Sequence, residues 1–135
     1  MGYELLDHTG DLAIVVREPT AEAVYVTAAR AMFELMVGKT EPGDAETTLK
    51  SEGEDEADLL QKFLSDLLFH FCAEDTIVTI DSVEVADGKL TARGRARPFD
   101  ASRDELETEL KAVTYHQLEM RREGDGWFAQ VIFDV

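Results

Sequence analysis

The segment that most constrains the fold is a long amphipathic stretch in the middle of the chain. Its apolar residues recur at intervals of three and four positions, which places them on one face of an α-helix. We therefore predict a helix that begins at Asp55 and whose apolar face must be covered by a sheet or by another helix. Its apolar positions are Leu59, Leu60, Phe63, Leu64, Leu67, Leu68 and Phe71.

Two further segments carry helix signals. A second amphipathic helix is predicted over Ala21–Val37, with Thr20 as its N-cap and Gly38 at its end. The range Ser102–Glu105 matches the capping box, in which a hydroxyl and a carboxylate satisfy backbone amides reciprocally. We therefore predict a short third helix from there to about Lys111.

The remaining apolar runs are rich in β-branched residues and are typical of strands. Glycine-containing turns at Ala86–Gly88 and Glu123–Gly126 predict two hairpins, the second at the end of the chain. Because no linker divides the chain, we predict one α+β domain over residues 1–135, with two or three helices packed on a mixed, largely antiparallel sheet with a C-terminal hairpin. The predicted strands are Tyr3–Asp7, Asp11–Arg17, Ala45–Ser51, Thr76–Val85, Lys89–Arg97, Ala112–Arg122 and Trp127–Asp134.

The charge balance is strongly acidic. In 135 residues, 13 Lys plus Arg stand against 29 Asp plus Glu, so the formal net charge is -16. A chain with this negative charge repels nucleic-acid phosphates. We therefore expect no direct stable binding of nucleic acid. Two interpretations of the acidic surface stay open: a solvated shell adapted to high salt, or docking to a basic partner.

The high-salt interpretation makes a prediction about stability. Salt at about 1 M shortens the Debye length to roughly 3 Å and removes most repulsion between surface charges. We therefore expect the Tm to fall as salt is withdrawn, because dispersed carboxylates then repel one another. Thermal unfolding followed by circular dichroism over a salt series measures this, and a Tm that does not change with salt would contradict it.

Targeting and redox signals are few. The N-terminus lacks a basic region followed by an apolar run, and no segment approaches 18 uninterrupted apolar residues, so we expect neither export nor a membrane span. Cys72 is the single cysteine, which excludes an internal disulfide and fits a reducing cytoplasm. We expect Cys72 to be packed within its helix, since free cysteine is usually buried.

Hard oxygen ligands occur at two places in the sequence. Asp7 and Asp11 lie four residues apart across a turn that contains Gly10, where they could serve a cation or could simply form and cap the turn. At the other end, Asp134 adjoins the α-carboxylate of Val135. Two such anions make a half-site for Ca²⁺, Mg²⁺ or Mn²⁺. The same pattern also fits a last strand that simply ends at Val135.

Other polar residues carry weaker signals. His70 is expected on the helix surface, whereas His116, in a strand, could be either a structural residue or a proton carrier. Lys111 lies at a helix-to-strand junction, where it could interact with the helix C-terminus. The residues Arg93, Arg95 and Arg97 share one face of a strand, and in so acidic a chain pairing with carboxylates is favoured over binding of phosphate or RNA.

Three motifs taken together closely resemble those of the archease family. They are Asp7–Asp11 (DHTGD), Lys111–His116 (KAVTYH) and Val131–Val135 (VIFDV), and the resemblance spans the whole chain. Archeases usually carry Ala where Gly10 stands, which exchanges one small residue for another. The resemblance implies an archease-like fold and a small cytoplasmic accessory protein rather than a self-sufficient enzyme.

The resemblance also implies a partner and an activity. Archeases assist the GTP-dependent tRNA-splicing ligase that joins RNA ends bearing a 3′-phosphate or cyclic phosphate to a 5′-hydroxyl. They promote guanylylation of that ligase, allow its multiple turnover and can broaden its nucleotide use. By motif position, the resemblance implies that Asp11, Asp134 and Val135 bind a divalent metal ion, most commonly calcium, with magnesium or manganese as alternatives.

Four other residues fall in the neighbouring motifs, and the resemblance implies that they belong to the same functional surface: Asp7, His8, Lys111 and His116. Such a surface requires the first turn and the last strand to meet, a long-range contact that local pattern does not predict. Two other classes of function stay open at this point. A metal-dependent hydrolase or nuclease would turn over phosphoesters without a partner, and a general chaperone would hold a client without any metal.

Overall fold

Eight strands and two helices make up the chain in the computed structural model, which describes residues 1–8 and 10–135, the side chains of Asp7 and His8 excepted. The second helix coincides with the amphipathic stretch that dominates the sequence. In chain order the elements are β1 (Gly2–His8), β2 (Asp11–Glu18), α1 (Ala21–Val37), β3 (Ala45–Glu52), α2 (Glu56–Glu74), β4 (Thr76–Ala86), β5 (Lys89–Pro98), β6 (Ala112–Val113), β7 (Glu119–Glu123) and β8 (Gly126–Asp134).

The strands form two sheets. One has the order β1-β2-β8-β6, with β7 also paired to β8, and the other has the order β3-β5-β4. The α+β class is confirmed, but every pairing among the described strands is antiparallel, so the expected mixed sheet is replaced by two antiparallel sheets. The connections of the two helices explain this. Helix α1 connects β2 of one sheet to β3 of the other. Helix α2 connects β3 to β4, which do not pair with each other because β5 lies between them.

Capping residues set the helix boundaries. At the start of α1 the hydroxyl of Thr20 accepts a hydrogen bond from the amide of Ala23, at 3.1 Å, and Gly38 ends the helix with φ at 71°. At the start of α2 the carboxylate of Asp55 accepts from the amide of Asp58, at 2.8 Å. Both helices are confirmed. The two capping side chains stabilise the helix starts, because they accept hydrogen bonds from backbone amides that lack intrahelical partners.

One continuous core joins both helices to both sheets. Helix α1 packs against β4 and β2, whereas α2 packs against β3, β4 and β6. The predicted apolar face of α2 is buried except for the half-buried Phe71, and Phe63 is in edge-to-face contact with Tyr25 of α1. Neither of the described helices combines the length and apolarity that crossing a bilayer requires.

The predicted short helix after Ser102 is wrong. The amide and hydroxyl of Ser102 both donate to Asp100, at 3.0 and 2.6 Å, and the segment beyond Arg103 has no regular structure up to Lys111. Instead, the amide of Glu107 donates to the carbonyl of Met36 in the last turn of α1, at 2.7 Å. A carbonyl at a helix end lacks an intrahelical partner, so the hydrogen bond from Glu107 to Met36 favours an extended conformation of this segment over a helix.

An ion pair between Arg97 and Asp104 holds this segment to β5. Its two side chains are 9% and 5% exposed, and two hydrogen bonds of 2.7 and 2.9 Å join them. These bonds, followed by one from the amide of Asp100, lower the pKa of Asp104 from 3.8 to about 2. The ionised carboxylate is therefore favoured more strongly in the folded state than in the unfolded state.

This ion pair predicts a pH-dependent loss of stability. Because the pKa of Asp104 is lower in the folded state, its contribution is complete above about pH 5 and is lost as the pH falls toward 2. We expect Asp104→Asn to lower the Tm by several degrees near neutral pH and the difference from the wild type to close below pH 4. Thermal unfolding at a series of pH values measures this difference, with Glu105→Gln, at the adjacent position, as the control. A difference that stays constant from pH 6 to pH 2 would contradict the assignment.

Two further expectations are corrected. The predicted strand Ala112–Arg122 is interrupted by a turn, in which the amide of Leu118 donates to the carbonyl of Tyr115 and Gln117 has φ at 50°. Two short strands therefore replace one long strand. Cys72 is exposed rather than packed, because it lies three positions after the exposed Phe69, on the side of α2 that faces solvent.

Candidate functional site

The start of β2 and the end of β8 meet at one end of the five-stranded sheet. Strand β2 pairs with β8 along its whole length, and this register sets Asp11 directly opposite Asp134. His8 lies opposite Asp11 on the other side, and Ala112 lies opposite Asp134. We call these four residues, one from each of four neighbouring strands, the tip row.

The two carboxylates of the tip row share one face of the sheet. Residues that lie directly opposite on antiparallel strands project to the same side, with their Cβ atoms about 4.5–5.5 Å apart. Like charges in such positions repel, which favours the presence of positive charge beside them. Asp11 is half-buried, with its Oδ1 oxygen buried, and Asp134 is exposed, so the pair lies at the boundary between the core and the surface.

Lys111 and Val135 lie next to the tip row. The amide of Lys111 donates to the carbonyl of Asp134, at 2.8 Å, which holds the start of β6 against the end of β8. Val135 follows Asp134 directly and is 40% exposed. Four of the residues singled out in the sequence, Asp11, Lys111, Asp134 and Val135, are therefore brought together from distant parts of the chain.

Two other candidates are placed only by their backbones. Asp7 lies opposite Leu12, and His8 lies opposite Asp11, in the pairing of β1 with β2. The side chains of Asp7 and His8, and the whole of Thr9 in the predicted Asp7–Asp11 turn, lie outside the described residues. Their part in the site therefore stays a prediction.

His116 lies in the turn between β6 and β7, not in a strand as expected. Its amide donates to the hydroxyl of Thr114, at 3.2 Å, and its side chain is exposed. The amide and the hydroxyl of Thr114 both donate to the carbonyl of Ile132 in β8, at 3.0 and 2.9 Å. These bonds anchor the turn to the strand that ends at Asp134, while the contacts of the His116 side chain with the tip row remain a prediction.

A polar cluster that no local sequence pattern predicted connects this turn to α2. Lys62 donates to the hydroxyl of Tyr115, at 2.6 Å, and that hydroxyl lies 3.1 Å from a carboxylate oxygen of Asp58. The hydrogen bonds of Lys62 with Tyr115 and Asp58 raise the pKa of its ammonium group. The spacing of four positions between Asp58 and Lys62 indicates an ion pair on one helix face and can be recognised in the sequence. Their contact with Tyr115 cannot, because it joins residues that are distant in sequence.

The remaining polar candidates have structural partners. Arg95 forms a two-fold hydrogen bond with Asp81, at 3.1 and 2.9 Å, and Arg93 lies 3.6 Å from Glu84. With the ion pair of Arg97 described above, the expectation that these arginines pair with carboxylates is confirmed. His70 lies on the surface of α2, as predicted, and pairs with Glu74.

The donors of the tip row suit a hard divalent cation. Carboxylate and main-chain oxygens are the ligands of Ca²⁺, Mg²⁺ and Mn²⁺. Among the side chains that the structure describes, no three His, Cys, Asp or Glu form a metal-binding group. The carboxylates of Asp11 and Asp134 therefore need further oxygen donors, and the main chain of Val135 and the first-turn residues are the candidates by position.

Comparison with known proteins gives a consistent result. The sequence profile of the Archease protein family (MTH1598/TM1083) matches residues 3–135. An archease of Methanosarcina barkeri is 35% identical, over 98% of this chain and 95% of that protein. An archease of Methanopyrus kandleri is 33% identical, over the full length of both chains.

Solved structures agree with the sequence comparison. The solution structure of Methanobacterium thermoautotrophicum protein 1598 matches with a TM-score of 0.77 and 29% identity, over 99% of each chain. An archease from Thermotoga maritima, described as a possible chaperone, matches with a TM-score of 0.66 and 21% identity, over 98% of this chain and 96% of that one, and shows the shared fold. The chain therefore belongs to the archease family.

Proposed function

We propose that the protein is a non-catalytic activator of a cytoplasmic GTP-dependent tRNA-splicing RNA ligase. It promotes guanylylation of the ligase, allows the ligase to turn over repeatedly and broadens its nucleotide use. Membership of the archease family supports this proposal. The observation that carries it is the register that sets Asp11 opposite Asp134, because this pairing joins carboxylates from two of the three family motifs.

In this proposal the tip row holds a divalent cation, with calcium as the first choice and magnesium or manganese as alternatives. The carboxylates of Asp11 and Asp134 and the main-chain oxygens of Val135 bind it, and the surrounding surface includes Asp7, His8, Lys111 and His116. A bound cation would supply a concentrated positive charge that pairs with phosphate or carboxylate oxygens. The chain's own residues hold and orient that charge.

Rigidity and charge fit this role. The tip row lies at the end of paired strands rather than on a free loop, and a site on strands is held more precisely than one on loops. The net charge of -16 would steer the protein toward a basic surface of the ligase and would speed association at low salt.

The test is reconstitution with the cognate ligase. Covalent transfer of labelled GMP to the ligase and joining of an excess of RNA with 3′-phosphate and 5′-hydroxyl ends are measured with and without the protein, at several salt concentrations. We expect faster guanylylation and many more joined ends per ligase molecule, because the activator acts on each cycle.

The same assay separates the other functions. Cleavage of phosphoesters by the protein alone would indicate a hydrolase or nuclease. Protection of several unrelated proteins from aggregation, without any effect on guanylylation of the ligase, would indicate a chaperone. A ligase that responds to the protein at no salt concentration would contradict the proposal.

A further inference from the structure

The segment formed by β6 and the turn that follows it is attached to α2 at two levels. At the buried level, the side-chain amide of Gln61 donates to the carbonyl of Val113, at 2.8 Å. At the surface, Lys62 donates to the hydroxyl of Tyr115, and that hydroxyl lies within hydrogen-bond distance of Asp58. We call Asp58, Lys62 and Tyr115 the Tyr115 cluster. The segment therefore has two separate connections to one helix.

The Tyr115 cluster is exposed, unlike the bond made by Gln61. The side chain of Lys62 is 48% exposed, and Tyr115 is 54% exposed. Ion pairs and hydrogen bonds between such groups contribute little to the free energy of unfolding, because water competes for them and long side chains lose freedom. Since Gln61 already joins the segment to the helix in the core, what the cluster adds is a fixed position for the turn.

The same turn is held to the face of the sheet that carries the tip row. Ala112 lies opposite Asp134, and the amide of Thr114 continues this ladder by donating to Ile132, so alternation places Thr114 on the face of the tip row. The hydroxyl of Thr114 accepts a hydrogen bond from the amide of His116, at 3.2 Å. The backbone of His116 therefore lies close to that face.

We propose that the Tyr115 cluster positions the exposed imidazole of His116 beside the tip row, for its part in activation of the ligase. Lys62 and Tyr115 are then positioning residues, which act through His116. A functional group on a turn needs such support, because productive geometry is held only within about 0.5 Å. This role rests on the proposed function, and it gives α2, which contains none of the three shared motifs, a part in the site.

Tyr115→Phe and Lys62→Met test this role with the reconstituted ligase. Each removes one partner of the bond between the turn and α2, and we expect stimulation of guanylylation to fall about tenfold, because a displaced group loses its productive alignment. The Tm and calcium binding should match those of the wild type, since the cluster is exposed and the tip-row carboxylates are unchanged. Lys62→Arg keeps a cationic donor and should restore most of the stimulation.

Two variants elsewhere make the same chemical changes and serve as matched controls. Tyr3→Phe removes the hydroxyl that donates to Glu34 of α1. Lys50→Met removes one positive charge from the exposed side of β3, in the other sheet. Both should stimulate the ligase as the wild type does, because neither touches the turn.

A double variant separates positioning from direct action on the ligase. His116→Ala should lower stimulation at least as much as Tyr115→Phe, and the two changes together should be no worse than His116→Ala alone, because the cluster acts through that side chain. A further loss in the double variant would show that Tyr115 acts independently of His116 and would overturn the proposal.

The remaining outcomes distinguish this role from the proposed function. If the wild type stimulates the ligase and Tyr115→Phe and Lys62→Met stimulate it equally well, the positioning role is wrong and the proposed function stands. A loss of stimulation together with a fall in Tm of several degrees would make the cluster a structural element only, and would also overturn the role. A ligase that does not respond to the wild-type protein would reject both.

Discussion

Asp134→Asn is expected to abolish stimulation of guanylylation and of multiple turnover while the fold stays intact. The substitution keeps the size of the side chain and removes one of the two carboxylates that face each other across β2 and β8. In the proposed site this loss removes a hard anionic donor from the cation. The exposed position of Asp134 and the loss of repulsion from Asp11 both argue that the free energy of unfolding will not fall.

The measurement combines activity, binding and stability. We expect Asp11→Asn to have the same effect as Asp134→Asn, and the double variant to be no worse than either, because both residues serve one site. Calcium binding by isothermal titration calorimetry should disappear in the same variants. Asp125→Asn, which removes one charge from the turn at the far end of β8, is the control. Full stimulation by Asp11→Asn and Asp134→Asn would reject the tip row as the functional site.

Phe63→Ala is expected to give the largest loss of stability. Phe63 is fully buried in α2, and its ring lies 6.3 Å from that of Tyr25 in an edge-to-face contact. Removing a buried phenylalanine costs about 3–5 kcal/mol, from lost burial and from the cavity that remains. For a chain of this length the loss corresponds to a fall in Tm of roughly 10–18 °C.

A matched variant on the same helix provides the control. Phe69 is 65% exposed, so Phe69→Ala should change the free energy of unfolding by no more than about 0.5 kcal/mol. Urea unfolding of both variants at one fixed salt concentration gives the comparison. Equal losses for Phe63→Ala and Phe69→Ala would show that burial in the core is not what distinguishes the two positions.

Local chemistry predicted the helices and hairpins well. The bounds of α1 follow from Thr20 and Gly38, since a capping hydroxyl and a residue with positive φ act within a single turn of chain. The hairpin between β4 and β5 follows from Asp87 and Gly88, which have φ at 54° and 72°. Such signals depend on neighbours in sequence and are therefore visible without the fold.

Other features depended on contacts between distant residues. Ser102 and Glu105 satisfied a local helix rule, yet the segment is extended because Arg97 binds Asp104 and the amide of Glu107 reaches the end of α1. Such partners outweigh a propensity of a few tenths of a kcal/mol per residue. The break at Tyr115 has the same origin, since its hydroxyl bonds to side chains of α2.

The two main helices and most of the strands follow from local sequence patterns, and the motifs shared with archeases indicated the candidate site residues. The arrangement of the strands in two antiparallel sheets, and the position of Asp11 opposite Asp134, depend on the tertiary fold. Local patterns record turns, caps and periodic apolar faces. The pairing of β2 with β8 instead depends on the register of strands from opposite ends of the chain, which the packing of the whole core selects.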